Sequence, residues 1–356
     1  MNTESRKIQR MGLSSLGVSL PKDWTIELGL NPGSLVQLSR DEDGSIRIDA
    51  PGRKPPEERG CLVRADECKE PRVLERVIIG NYLLGRDTIE IVSSSALSKE
   101  SMEEIYGAMD KLTGVTIVEQ ADRSTMLESF VEPTKFPVRG LLRRLQYLAE
   151  RMIRLSFRGI MKLDEDALSN VTRLEEEVDR LYWLITRQLM VAAQDKVAGS
   201  QIGETDPRHI AGDMLVAAML ERVADVALDL IRRSKEAGLE LSGFPDEVSR
   251  RVFALGATVE GLAKDTMEAF FMDDVTSASH ALEVVQDAEK EVQSLSASIP
   301  LGADVDSLYC ITCLQVKSAL NSLAHIADYY GTIAHVALNR ALEGESKVCV
   351  PRGVPS

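Results

Sequence analysis

Residues 171–189 read VTRLEEEVDRLYWLITRQL, and residues 213–231 read DMLVAAMLERVADVALDLI. Apolar side chains recur at steps of three and four along both stretches, which predicts two helices with one buried stripe each. The stripe residues of the first helix are Leu168, just before the quoted stretch, and Val171, Leu174, Val178, Leu181, Ile185 and Leu189 within it; those of the second are Val216, Leu220, Val223, Ala227 and Leu230. The turn-rich segment VAGSQIGETDP between them predicts an antiparallel helical hairpin.

Each arm of this hairpin carries two acidic residues four positions apart, Glu175 with Asp179 and Glu221 with Asp225. A hairpin centred on Ser200 places Asp179 opposite Glu221 and Glu175 opposite Asp225. Four carboxylates would then meet in one patch, and such oxygen ligands suit a multivalent cation. A solvated acidic face explains the same spacing equally well, so both interpretations stay open here.

Composition limits the class of protein. The chain has 356 residues, 4% aromatic residues and a net charge of −14. It has no long apolar run and no signal-peptide pattern, so we expect a soluble cytoplasmic protein. The negative charge argues against a surface covered in DNA contacts, although a local basic patch is compatible with it. Five cysteines in a long, helix-rich chain are expected to be reduced.

The order of patterns along the chain predicts a multidomain, mostly α-helical protein. Short strands and tight turns fill the N-terminal fifty residues, a proline-rich linker follows, and a strand–helix alternation precedes six long helices. The expected parts are a β-hairpin domain at 1–50, the linker at 51–60, a small α+β domain at 61–132, two three-helix bundle repeats at 136–238 and 244–343, and a tail at 344–356. The β-hairpin domain is too small to bury a core alone, so we expect it to pair with a second copy.

The N-terminal domain carries GVSLPKDW at residues 17–24 and LGLNPGSLV at residues 28–36. This pattern resembles the SpoVT/AbrB swapped-hairpin DNA-binding domain. The resemblance implies a homodimer with interleaved hairpins that lays a basic face on DNA. Carried over to this chain, the phosphate contacts would come from Arg6, Lys7, Arg10 and Lys22. A domain used only for dimerisation is the alternative.

The helical region carries EEEVDRLY at residues 175–182 and ERVADVA at residues 221–227, and its two three-helix blocks look alike. This arrangement resembles the PhoU family of phosphate-signalling proteins, and its union with an AbrB-like domain is typical of archaeal members. The resemblance implies metal ligation by Glu175, Asp179, Glu221 and Asp225, with iron or zinc expected ahead of magnesium.

The second repeat departs from this pattern. Gln293 stands where the first repeat has Asp179, and Ala324 stands where it has Glu221. Only Glu289 and Asp328 remain, and the loop near Pro300 is not centred between them. We therefore expect a weak or lost second metal site at Glu289 and Asp328.

Two functions follow from these resemblances. The first is a phosphate-responsive transcription regulator that binds DNA and controls phosphate uptake and homeostasis. The second is an adaptor that does not bind DNA, dimerises through its N-terminal domain and docks on a phosphate transporter or signalling partner. A di-metal carboxylate enzyme would need inward-facing Glu-x-x-His pairs, which these helices lack, so no catalytic residue is predicted.

Overall fold

The computed structural model describes most of the chain, and it divides into two compact units, residues 1–60 and 61–356. The described residues are 4–12, 14–40, 44–49, 59–132, 135–162, 165–236, 246–299, 307–344 and 348–350. Most of the expected linker at 51–60 and most of the expected tail at 344–356 therefore lie outside the described residues.

The first unit consists of two antiparallel β-hairpins and one short helix. Its elements are β1 (Gln9–Met11), β2 (Ser15–Gly17), α1 (Lys22–Glu27), β3 (Gln37–Arg40) and β4 (Ile46–Asp49). β1 pairs with β2 and β3 pairs with β4, each as a separate two-stranded sheet. Pro21 lies directly before α1, where its missing N–H costs no helical hydrogen bond. The turn before β3 needs Gly33, whose φ is +91°.

The second unit begins with a four-stranded sheet in the order β5-β6-β8-β7. Its elements are β5 (Gly60–Arg64), α2 (Val73–Leu83), β6 (Thr88–Val92), α3 (Lys99–Lys111), β7 (Val115–Ala121) and β8 (Ser124–Ser129). Alternate residues of β6 and β8 are buried, so one face of the sheet forms a small core with the two helices. Ser98 caps α3 by accepting a hydrogen bond from the Ser101 backbone N–H at 3.1 Å.

The rest of the second unit is helical, in agreement with the predicted pattern. The helices are α4 (Val138–Lys162), α5 (Glu165–Gln194), α6 (Lys196–Ile202), α7 (Pro207–Glu236), α8 (Asp246–Met272), α9 (Val275–Ser298) and α10 (Ser307–Ala341). One boundary differs, because the sequence predicts a single helix over 164–198. The chain breaks at Asp195, whose side chain accepts a hydrogen bond from the Val197 backbone N–H at 2.9 Å and so starts α6. Among the described residues, no helix combines the length and apolar character needed to cross a bilayer.

Helix α5 is shared between the two cores of this unit. Val178 and Ile185 are buried among the long helices, whereas Trp183 packs against the core of the α+β segment. Arg187, which is 3% exposed, leaves the same helix toward that segment. Its guanidinium donates hydrogen bonds to the carbonyl oxygens of Tyr82 at 2.6 Å and Arg86 at 2.9 Å, and to Asp87 Oδ1 at 2.7 Å. Arg187 therefore holds the α+β segment on the helical array.

Candidate functional site

The predicted apolar stripes are buried where α5 and α7 pack together. Val171, Val178, Ile185, Val216 and Val223 are each fully buried. The remaining stripe residues are buried or partly buried in the same core. The acidic residues adjoin these positions on each helix, so packing of the stripes fixes where their carboxylates lie.

The structure brings the four predicted acids together. We call Glu175, Asp179, Glu221 and Asp225 the acid patch. All four side chains are partly buried. Asp225 acts electrostatically on each of the other three, and Asp179 acts on Glu175 and Glu221. The pairing expected from a hairpin centred on Ser200 is therefore consistent with the observed neighbours.

Burial is the main cause of a raised pKa for every member of the acid patch. For Glu175 and Asp179, the neighbouring carboxylates raise the pKa further. For Glu221, burial and then the Asp225 charge raise the pKa to about 7. Glu221 and Asp225 are hydrogen-bonded, which raises the pKa of Glu221 and opposes the rise at Asp225. Within this pair, protonation is therefore favoured at Glu221 over Asp225.

Basic groups at the border of the acid patch offset part of its charge. Arg222 Nε lies 3.8 Å from Glu221 Oε2. Lys111, at the end of α3, lowers the pKa of Asp179 against the larger effect of burial. The same ammonium group bonds Glu75 Oε1 at 2.6 Å, so it is held between α2 and the patch. The α+β segment thus places a positive charge near the helical acids.

The donor set of the acid patch fits a hard or borderline cation, because it offers only carboxylate oxygens and is partly shielded from water. A bound cation would also relieve the mutual repulsion of the four groups. In this conformation, however, no three of their oxygens lie within 4.8 Å of one another. Ligation by three or more of these acids therefore requires their side chains to rotate toward a common point.

The predicted DNA contacts lie on the surface of the first unit. Arg6, Lys7, Arg10 and Lys22 are all exposed. Arg6 forms an ion pair with Glu4, two residues before it. Arg10 lies in β1 and Lys22 is the first residue of α1, so these two bases come from different elements of the unit.

Large aliphatic side chains are exposed across the same unit. Leu35 is 87% exposed, Ile46 73%, Leu16 72% and Ile26 68%. Among the residues of 4–49 whose burial is described, only Pro21 is buried. A two-stranded hairpin is marginally stable alone, and contiguous exposed apolar surface marks an interaction site. This surface is what a domain completed by a second chain would present.

Family models match both regions of the chain. The model described as PhoU domain matches residues 142–234, which contain the whole acid patch. The chain contains a PhoU domain. The model described as antidote-toxin recognition MazE, bacterial antitoxin, matches residues 9–57, so a MazE/AbrB-like domain precedes the PhoU domain.

Solved structures of PhoU proteins resemble the helical region. The crystal structure of PhoU from Pseudomonas aeruginosa is 19% identical, with a TM-score of 0.50, and covers 57% of this chain and 94% of that one. The phosphate transport system regulatory protein PhoU from Streptococcus pneumoniae is 16% identical, with a TM-score of 0.49, over 58% of this chain and 94% of that one. The first of these likenesses shows a shared fold. No curated protein matches the chain.

The PhoU family match stops before the second repeat, where the acids are also different. Glu289 and Asp328 are both exposed, unlike the partly buried acids of the PhoU domain in the first repeat. Gly331 on α10 packs against Val285 on α9. This contact indicates that Glu289 and Asp328 lie at similar positions along the two paired helices, although the connecting loop is not midway between them in the sequence.

A second group of chemically active residues lies at the start of α7, and the sequence did not predict it. Asp206, His209 and Glu343 lie together, next to a buried Glu204. The sequence does place Asp206 and His209 three positions apart at a helix start. It gives no sign that Glu343, more than a hundred residues later, joins them.

Proposed function

We propose that this protein is a cytoplasmic, phosphate-responsive regulator that dimerises and binds DNA through its MazE/AbrB-like domain and controls phosphate uptake. The observation that carries this proposal is the combination in one chain of a PhoU domain and a small domain with exposed bases and exposed aliphatic side chains. The PhoU domain match and the fold shared with PhoU from Pseudomonas aeruginosa support a role in phosphate signalling. The chain's role is therefore proposed to be regulatory and not catalytic.

A second copy of the chain would complete the N-terminal domain. Interleaving two copies would cover aliphatic residues such as Leu16, Leu35 and Ile46, and each buried Å² of apolar surface contributes about 25 cal/mol. Dimerisation would also double the number of exposed bases on one face. Because phosphate contacts add up in the affinity for DNA, a dimer would bind much more tightly than a monomer.

The acid patch is the proposed metal site of the PhoU domain. Glu175, Asp179, Glu221 and Asp225 would hold iron or zinc, with magnesium as a weaker candidate. The metal would supply positive charge to which an anion such as phosphate can bind. Without the metal, burial and repulsion among the carboxylates raise their pKa values, and the same effects disfavour the binding of an anion at the patch. Glu289 and Asp328 would form a weaker site.

DNA binding is tested by gel shift and selection with a pool of random-sequence duplexes, at several salt concentrations and with or without inorganic phosphate. We expect the Arg6→Ala/Lys7→Ala/Arg10→Ala variant to lose most of its affinity. The slope of log affinity against log salt should fall by about 0.9 for each lost phosphate contact.

The matched control removes three exposed lysines from the second unit, Lys99→Ala/Lys264→Ala/Lys290→Ala, which gives the same net charge. It should bind DNA like the wild-type protein. Equal losses in both variants would mean that the response reflects net charge, and absence of any wild-type binding would reject DNA binding.

The alternative is an adaptor that dimerises without binding DNA and docks on a phosphate transporter or signalling partner. Two observations favour it: the net charge is −14, and the N-terminal family model is described by toxin recognition, which is a protein–protein function. A stable dimer that shifts no duplex in the experiment above would establish this alternative over the first.

A further inference from the structure

Three potential metal ligands meet where the start of α7 faces the end of α10. Asp206, His209 and Glu343 each offer one ligand atom, and these atoms lie within 4.8 Å of one another. It is the one such group of three or more His, Cys, Asp or Glu residues in the described part of the chain. His209 Nε2 lies 2.8 Å from Glu343 Oε2. All three side chains are partly exposed, so an ion can reach them from solvent.

The local backbone fixes two of these ligands. Asp206 precedes α7, and its carbonyl oxygen accepts a hydrogen bond from the Ile210 N–H at 3.0 Å. His209 follows within the first turn, on the same side. Before them, the chain turns at Gly203, whose φ is +85°, and packs against Gly199, where an added Cβ would lie 2.5 Å from the Glu204 carbonyl oxygen. This tight turn sends the Glu204 side chain inward.

Glu204 lies behind His209, on the side away from the other two ligands. It is 4% exposed, and its Oε2 lies 3.8 Å from His209 Nδ1. The imidazole therefore lies between Glu204 at Nδ1 and Glu343 at Nε2. At this separation the two groups interact electrostatically, and a small rotation that brings them within hydrogen-bond distance would form the carboxylate–histidine pair that orients a metal ligand and strengthens it.

A buried ion pair between Asp213 and Arg340 lies next to His209 and Glu204. Asp213 is completely buried; its Oδ1 accepts a hydrogen bond from Arg340 at 2.8 Å, while its Oδ2 has no partner among the described residues. Arg340 also donates to the His209 carbonyl oxygen at 3.4 Å. Asp213 is also close enough to Glu204 for the two side chains to interact. Two buried carboxylates thus lie directly behind an accessible histidine.

An ion-pair network is the competing explanation for the outer residues. Arg208 donates to both carboxylate oxygens of Asp206 at 2.6–3.2 Å, and its side chain is 66% exposed. Exposed pairs of this kind contribute little to stability. Glu204 interacts with Asp213 and Arg340, and it also lies 3.8 Å from His209 Nδ1, where its charge favours a metal ion on the other ring nitrogen.

We propose that Asp206, His209 and Glu343 bind a divalent transition-metal ion of the zinc class, which ties the first turn of α7 to the end of α10. One imidazole nitrogen and two carboxylate oxygens form a donor set that zinc accepts, with a fourth position open to water. This site is separate from the acid patch, and its existence does not depend on the proposed regulatory function.

The test uses tag-free, full-length protein, stripped of metal and titrated with Zn²⁺ against a chromogenic chelator. All proteins carry Glu175→Ala/Asp225→Ala, which removes half of the acid patch and with it the metal equivalent expected there. We expect one equivalent of zinc in this background and its loss in His209→Ala. The matched control is His280→Ala, which removes a histidine that is 69% exposed and should keep the equivalent. Equal zinc binding by the His209 and His280 variants would overturn the proposal.

Two further variants separate a metal site from an ion-pair network. Arg208→Ala removes the guanidinium that competes for Asp206, so zinc affinity should rise; an unchanged or weaker affinity would contradict the proposed ligand set. Glu204→Gln keeps the shape but removes the carboxylate behind His209, and affinity should fall about ten- to a hundredfold. If His209→Ala fails to fold, as judged by circular dichroism without metal, Glu343→Gln provides the test and should lose the equivalent as well.

Discussion

Glu221 makes the stability of the metal-free protein depend on pH. Its pKa rises from 4.5 to about 7 on folding, so the folded state binds more protons than the unfolded state between these values. The stabilising contribution is complete below about pH 4.5 and is lost as pH rises through 7. We predict that Glu221→Gln, which stays neutral, raises the free energy of unfolding at pH 8 by on the order of 2 kcal/mol.

Chemical unfolding with a chelator present, at pH 5 and pH 8, measures this effect. At pH 5 the wild-type protein and Glu221→Gln should be nearly equal. Glu289→Gln is the control, because Glu289 is the exposed acid of the second repeat, and it should change stability at neither pH. A variant that is no more stable than the wild type at pH 8 would mean that Glu221 is not held in the protonated form.

The second prediction for individual residues concerns the metal bound by the acid patch. We expect elemental analysis of purified protein to find iron or zinc, and Glu175→Ala/Asp225→Ala to lose about one equivalent because it removes half of the acid patch. Glu289→Ala/Asp328→Ala is the control and should retain that equivalent. No metal in any protein, even after reconstitution, would make the acid patch a surface for solvent or a partner.

The sequence predicted that the four acids of the acid patch lie close together, because residues at equal distances from the turn of an antiparallel helical hairpin lie opposite one another. Glu175 and Asp225 lie at equal distances from Ser200, so regular helix geometry alone brings them together. His209 and Glu343 have no such relation. Their contact depends on how α7 and α10 pack, and on the turn at Gly203 that buries Glu204, and neither is visible in a local pattern.

At the scale of elements, Arg187 joins the α+β segment to α5. Replacing it by Leu would remove the charge-assisted hydrogen bonds to the carbonyl oxygens of Tyr82 and Arg86 and to Asp87, although Tyr82 keeps the Gly85 N–H as a donor; hydrogen bonds to charged groups contribute about 1.5–3 kcal/mol each. We predict that Arg187→Leu lowers the free energy of unfolding by about 3 kcal/mol. Amide exchange should quicken in α2 and β6, which flank those carbonyls.

The control for this prediction is Arg173→Ala on the same helix. Arg173 is exposed and donates only to Asn170 among the contacts described, so stability should change little. Equal exchange in the wild type and Arg187→Leu would show that apolar contacts of Trp183 alone hold the segment.

The periodicity of the apolar residues predicted the positions of the long helices, but counting residues from the loop did not predict how α9 and α10 align. Counting outward from the loop near Pro300 suggested that Glu289 and Asp328 are not opposite one another. In the structure Gly331, three residues after Asp328, packs against Val285, four residues before Glu289, which indicates that the two acids lie at similar positions along the paired helices. Helix α10 has 35 residues and α9 has 24, so the two arms are unequal. Counting residues outward from the loop pairs the acids of α5 and α7 correctly, because these two helices have equal lengths. The same count fails for α9 and α10, because α10 is much longer.

At the scale of the whole molecule, the exposed aliphatic residues of the first unit predict the state of assembly. We expect the wild-type protein to sediment as a dimer. Leu16→Glu/Leu35→Glu should shift it toward monomer, because burying two carboxylates in an apolar interface is strongly unfavourable. DNA affinity should fall together with dimerisation.

Leu62→Glu is the matched control, since Leu62 is 54% exposed on β5 in the second unit. It should sediment like the wild type. A Leu16→Glu/Leu35→Glu protein that remains dimeric would place the dimer contact in the second unit. The sequence could predict an unpaired N-terminal domain from its size, but a single chain cannot show which residues of the second copy complete it.

Helix α5 lies between two cores, and this position limits how its sequence can evolve. An ordinary surface helix can exchange the residues of its outer face freely, whereas α5 has Val178 and Ile185 on one side and Trp183 and Arg187 on another. Each substitution on this helix must satisfy two different neighbours. Relatives of this chain that lack the α+β segment are free of that constraint, so α5 is where their sequences should diverge most from this one.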